Sequence, residues 1–175
     1  MRILTMTAAA VLIPGALAFG APRHQGATPT QARAAFRDIR NLIGQWQGTD
    51  EHGDAVKTKF APIAASTAVM ETLSMPSDDM VTIYSLDVNS IALVHYCPTN
   101  NQPRMRATPQ GVNVKQLTFT FLGAGNLPNT QVGHERKLVL QFVDGDHLIE
   151  RWTWRQAGKD TQMTFHFVRA HLERK

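Results

Sequence analysis

The chain changes its period once. Ala32, Ala35, Phe36, Ile39, Leu42 and Ile43 recur at helical spacing and form one apolar stripe. Thr28-Pro29 ahead of it supplies a hydroxyl cap and a proline for the first turn, and Gly44 ends it. Arg33, Arg37, Asp38 and Arg40 take the opposite face, so the pattern predicts a short amphipathic helix with a solvated side. After Gly44 the pattern becomes short runs rich in β-branched and aromatic residues. Ten such runs, at about 45–50, 55–62, 66–73, 80–87, 91–97, 103–108, 112–122, 135–143, 147–155 and 161–169, predict strands. Residues 50–54, 76–79, 87–90, 144–146 and 156–160 carry Asp, Asn, Gly, Pro and Ser and read as tight turns. Only 123–133 is long enough to be a mobile loop or lid.

No helix fits between successive runs, which excludes parallel crossovers and leaves antiparallel hairpins. A long meander has two open edges, and closing on itself removes both. The expected fold is therefore all-β: a ten-stranded, up-and-down antiparallel barrel, with the preceding helix plugging one end. Alternation agrees, since Leu138, Leu140 and Phe142 share one face while Val139, Gln141 and Val143 share the other. Met163, Phe165 and Phe167 alternate likewise with Thr164, His166 and Val168. A closed sheet of this width is expected to keep a cavity. Tyr84, Phe119, Phe121, Trp152 and Phe165 are its candidate walls.

Composition adds the compartment. The chain has 175 residues, 43% apolar and 18% charged, with formal charge +4 and one cysteine. That is enough for one cored domain and too little charge bias to predict nucleic-acid binding. Met1-Arg2, an apolar run to Ile13, the Pro14-Gly15 break and Ala16-Leu17-Ala18 read as a secretory signal peptide, cut after Ala18 or Ala21. The run is short and broken for a membrane span, so no stable membrane insertion is expected after its removal. The domain plan is then 1–21 signal peptide, 22–43 linker and helix, and 44–175 barrel, exported to a periplasm or the cell exterior. Cys97, without a partner, is expected as a buried small hydrophobe, with an intermolecular disulfide or a reactive thiol as alternatives.

Gly44-Gln45-Trp46 after a short helix resembles the Gly-x-Trp start of lipocalin-like (calycin) barrels. The resemblance implies that Trp46 closes one barrel end and that a basic residue after the last strand, Arg169 or Arg174, packs over it. Residues 69–73 (Val-Met-Glu-Thr-Leu), 95–97 (His-Tyr-Cys) and 101–106 (Asn-Gln-Pro-Arg-Met-Arg) are similar to a group of secreted bacterial lipocalin-like proteins of unknown function. That likeness covers most of residues 40–170 and implies no catalytic residues. A more distant likeness, to nitrobindin-type barrels, implies haem on a histidine near the C-terminus, for which His166 is the candidate.

Polar residues stranded inside apolar strand faces are the candidate chemistry. Glu71 lies between Val69 and Leu73, and Glu150 shares a face with Leu148, Trp152 and Trp154. Buried carboxyls need a partner or a raised pKa. Arg104 and Arg106 share a face; turned inward they would neutralise the glutamates or grip an anionic headgroup, and turned outward they leave Met105 and Ala107 to the core. His95, Cys97 and Met105 are soft metal ligands without a second histidine in that segment. Nucleophile-elbow, zincin and phosphate-loop motifs are missing from the sequence.

The resulting expectation is a binding protein without metal or cofactor, holding a small, mostly apolar molecule with or without an anionic end. Its predicted contacts are Glu71, Tyr84, His95, Arg104, Arg106, Glu150 and Trp152. The alternatives are an enzyme using an internal carboxylate as acid or base on a lipophilic substrate, and a haem or metal binder.

Overall fold

The computed structural model describes residues 26–76 and 78–171; the expected signal peptide, its cleavage positions and Arg174 lie outside them. The order is α1 (Pro29–Arg40), β1 (Gly44–Thr49), β2 (Ala55–Ile63), β3 (Ala68–Ser74), β4 (Asp79–Asp87), β5 (Ser90–Tyr96), β6 (Gln102–Ala107), β7 (Gln116–Gly125), β8 (His134–Phe142), β9 (His147–Gln156) and β10 (Lys159–Arg169). Each strand pairs antiparallel with its sequence neighbours, and β1 pairs with β10, so the sheet closes. The closed ten-strand barrel and its preceding helix are as the hydrophobic pattern requires.

α1 starts where the capping chemistry places it. The Thr28 hydroxyl accepts from the Gln31 amide, and the Gln31 side chain accepts from the Thr28 amide at 2.7 Å. Ala32, Ala35, Phe36 and Ile39 are buried, and the helix lies against β4 and β5. Its apolar side joins Leu42 and Trp46 in one core cluster at this end of the barrel. Trp46 Nε1 donates to the Leu42 carbonyl at 2.8 Å, and the Arg169 guanidinium lies 4.2 Å from the Trp46 ring centre. Arg169 also donates to the carbonyls of Asn41, Ile43 and Gly145, so it ties the helix exit, the first strand and the β8–β9 turn together. This is the arrangement implied for the tryptophan and the late basic residue.

The ends of β7 depart furthest from the sequence reading. β7 begins at Gln116 rather than near 112, because Pro109 and Gly111 break the run and leave a loop to Lys115. The same strand runs on to Gly125, which shortens the expected lid to 126–133. Asn126 donates to the Asn100 carbonyl, Asn101 to the Gly133 carbonyl, and Ala157 to the Gln131 carbonyl, so the segment is fastened to the neighbouring turns. It is not a lid.

The barrel middle is filled rather than hollow. Phe60, Tyr84 and Phe119 pack side by side with tilted rings, their centres 6.5 and 5.7 Å apart. Leu93, Met105, Leu138 and Leu140 close the gaps around them. The apolar-walled cavity of this barrel lies at the end opposite α1.

Candidate functional site

The mouth is formed by the β1–β2, β3–β4, β5–β6 and β9–β10 ends, and it holds a cavity of about 490 Å³. Leu73, Met75, Met80, Trp152, Trp154, Met163 and Phe165 supply apolar wall, and His95, Cys97 and Glu135 are among its polar residues. His95 is 1% exposed. Its Nδ1 meets the Thr82 hydroxyl at 3.0 Å, its ring packs 4.6 Å from Trp152, and its Nε2 has no partner. Burial pushes its pKa down to about 4, so the ring is neutral at physiological pH.

Glu135 went unrecognised in the sequence, and the reason is local. By strict alternation from Leu138, residue 136 would face inward and 135 outward. A bulge sits between Glu135 and Lys137, where the pairing skips Arg136: Glu135 aligns with Trp154 and Lys137 with Thr153. The extra residue reverses the facing of everything before it. Glu135 is therefore 7% exposed, its Oε2 has no partner, and burial pushes its pKa up to about 8.

Below the cavity lies a sealed acidic pair. Glu71 and Glu150 have no exposure, and their carboxyls are within hydrogen-bond reach of each other. Thr58 Oγ1 donates to Glu71 Oε1 at 2.9 Å, Tyr84 donates to Glu71 Oε2 at 2.6 Å, and Trp152 Nε1 donates to Glu150 Oε2 at 3.1 Å. Glu150 Oε1 meets no hydroxyl or N–H, which fits a protonated acid facing Glu71. Burial raises both pKa values, and the neighbouring Glu71 charge raises Glu150 further. Glu150 therefore keeps the proton, and Glu71, held by three donors, carries the charge when the pair first ionises. The same burial and the two carboxyls push the Tyr84 hydroxyl well up, so it stays a donor.

The seven predicted contacts thus fall into three groups. His95 and Trp152 line the cavity. Glu71, Tyr84 and Glu150 are internal but closed off beneath it, with Trp152 bridging the two levels. Arg104 and Arg106 are corrected: both are exposed on the outer face, Arg106 is paired with Asp87, and Met105 and Ala107 are the buried residues of that strand. Two guanidiniums in this interior would have lost hydration that one shared carboxylate charge could not replace. Among the expected walls, Trp152 and Phe165 line the cavity, Tyr84 and Phe119 belong to the packed middle, and Phe121 packs at a tilt against His134.

Cys97 is half-buried at the mouth and accepts from the Thr99 hydroxyl at 3.0 Å, rather than lying in the core. Met105 is in the core and does not line the cavity with His95 and Cys97. Among the described residues no three His, Cys, Asp or Glu side chains gather as a metal site. His166 is exposed on the outside of β10 between the inward Phe165 and Phe167, so it does not reach the interior as a haem ligand would have to.

No family model matches the chain, and no curated protein matches it significantly. Solved structures do, among them one that covers most of this chain. It is a protein of unknown function of the DUF3598 family from Nostoc punctiforme PCC 73102, similar with TM-score 0.54 at 10% sequence identity. The match covers 75% of this chain and 48% of that one, so the chain spans about half its length. The likeness is one of fold.

Proposed function

We propose that this protein is an exported, lipocalin-like carrier that binds a small, mostly apolar molecule in its mouth cavity. One observation carries the reading: an apolar-walled cavity of about 490 Å³ contains two buried side chains, His95 and Glu135, each with an unpartnered polar atom. Such atoms cost free energy unless something pairs with them, while the walls gain from excluding water. The Gly44-Gln45-Trp46 start and the Arg169–Trp46 stack support the lipocalin-like assignment. The Met1–Ala18 pattern supports export, and N-terminal sequencing of the mature protein should begin at Phe19 or Pro22.

An acid–base reaction at Glu71 or Glu150 has less support, because neither carboxyl lines the cavity.

Native mass spectrometry of protein purified from its own host should reveal a lipophilic passenger. Met163→Trp, which narrows the cavity from its β10 wall, should abolish binding of an environment-sensitive apolar dye while the fold persists. Equal dye binding by both proteins, with no passenger, would overturn the proposal.

A further inference from the structure

The charges around the cavity restrict what it can hold. Its ionisable lining residues are Glu51, His52, Asp78, His95, Cys97 and Glu135; among the described residues no Lys or Arg lines it. The cations nearest Glu135 in the ladder turn outward, where Arg136 and Arg155 both bond to Asp160, at 3.2 and 2.6 Å. Glu135 is thus a buried carboxyl whose natural counter-charges are engaged elsewhere, and its Oε2 is unpartnered. Trp154, its cross-strand neighbour, and Trp152 present indole rings to the same space. A carboxylate ligand would add negative charge among three carboxyls without gaining a cation. An ammonium group would pair with Glu135, and indole faces favour a cation. His95 can accept a second N–H at Nε2 when its proton sits on Nδ1, facing Thr82.

Accepting the cavity as a binding site, we infer that its ligand is a small lipophilic amine, bound as the ammonium ion with Glu135 as counter-ion and His95 as second acceptor. The apolar part of the molecule lies against Leu73, Met80, Met163 and Phe165. This reverses the anionic option raised by Arg104 and Arg106, which are outside. It also couples binding to a proton. With burial holding the Glu135 carboxyl at about 8, the free protein is largely protonated there at neutral pH, and an ammonium ion displaces that proton. His95, held near 4 by the same burial, stays neutral throughout, and the remaining ionisable lining groups are Glu51, His52, Asp78 and Cys97.

The test compares 4-phenylbutylamine, 4-phenylbutanol and 4-phenylbutanoate, one skeleton with three head groups, by tryptophan fluorescence and calorimetry. The amine should bind at least about tenfold more tightly than the alcohol, with the carboxylate weakest. Glu135→Gln should bring the amine down to the alcohol's affinity and leave the alcohol unchanged, which also shows that the variant is folded. Calorimetry of the unaltered protein in buffers of different ionisation heat should show release approaching one proton per amine at about pH 6.5, fading by about pH 9. That measurement decides the matter even if the variant fails to fold. Alcohol or carboxylate binding equal to the amine, or no proton release, overturns the amine assignment and leaves the cavity reading standing. Failure of all three to bind the unaltered protein overturns both.

Discussion

Glu150 shows how one proton can hold a barrel interior together. As an acid with Oε1 turned to Glu71 it can donate there while its Oε2 accepts from Trp152, which would give each polar group of the pair a partner inside an apolar layer. Glu150→Gln keeps both roles, since its amide N–H can donate to Glu71 and its oxygen can accept from the indole; stability near pH 6 should change by less than about 1 kcal/mol. Glu150→Ala strands the Trp152 N–H and removes the donor to Glu71, and should cost about 3 kcal/mol by denaturant unfolding. Similar losses for the two variants would show that the carboxyls do not share a hydrogen bond. The outward arginines follow the same physics from the other side. Met105 and Ala107 could be buried without a partner and Arg104 and Arg106 could not, so desolvation decided which face of β6 turned in.

At the level of elements, the seam between β1 and β10 makes the sheet a barrel, and Gly48 is its tightest point. A Cβ there would stand 1.8 Å from the His166 carbonyl oxygen, with backbone rather than a movable side chain in the way. Gly48→Ala should therefore force β1 away from β10 and destabilise the fold by about 1–3 kcal/mol, read as a lowered unfolding midpoint. Gly133 is the counterpart at the mouth, where a Cβ would meet the Trp154 ring at 2.1 Å. A ring can move where a backbone cannot, so Gly133→Ala should shift the Trp154 fluorescence and weaken dye binding with a smaller loss of stability. A midpoint unaffected by Gly48→Ala would mean that the seam is looser than this geometry requires.

For the whole molecule, the buried titratable groups set how stability varies with pH. Burial depresses His95 to about 4, so its contribution is present above its ordinary range and lost as pH falls toward 4. Glu71, Glu135 and Glu150 are raised, so the folded state holds protons that the unfolded chain releases; their contribution is present at low pH and lost as pH rises, through about 8 for Glu135. Above about pH 6.5 only the carboxyl contribution is still changing, and stability should fall with a slope of up to about 1.4 kcal/mol per pH unit for each proton. Melting temperatures measured from pH 6.5 to 8.5 should show the decline, and Glu135→Gln should flatten it. A rise over that interval would contradict the burial of these acids.

The amphipathic stripe ahead of Gly44, the strand spacing and the turn residues determined the helix, the antiparallel order and, through the need to hide two edges, the closed barrel. Those features depend on local periodicity and on backbone hydrogen bonding, which a single chain displays directly. The inward facing of Glu71 and Glu150 was legible for the same reason, because both sit in phase with apolar neighbours. Tertiary structure alone decided the rest. A single unpaired residue in β8 reversed the facing of Glu135, and the aromatic rings of Phe60, Tyr84 and Phe119 filled the middle and left the apolar-walled cavity at the mouth. A bulge depends on the partner strand, and a cavity on how side chains from ten strands fit together, so neither is written in the period of any one segment.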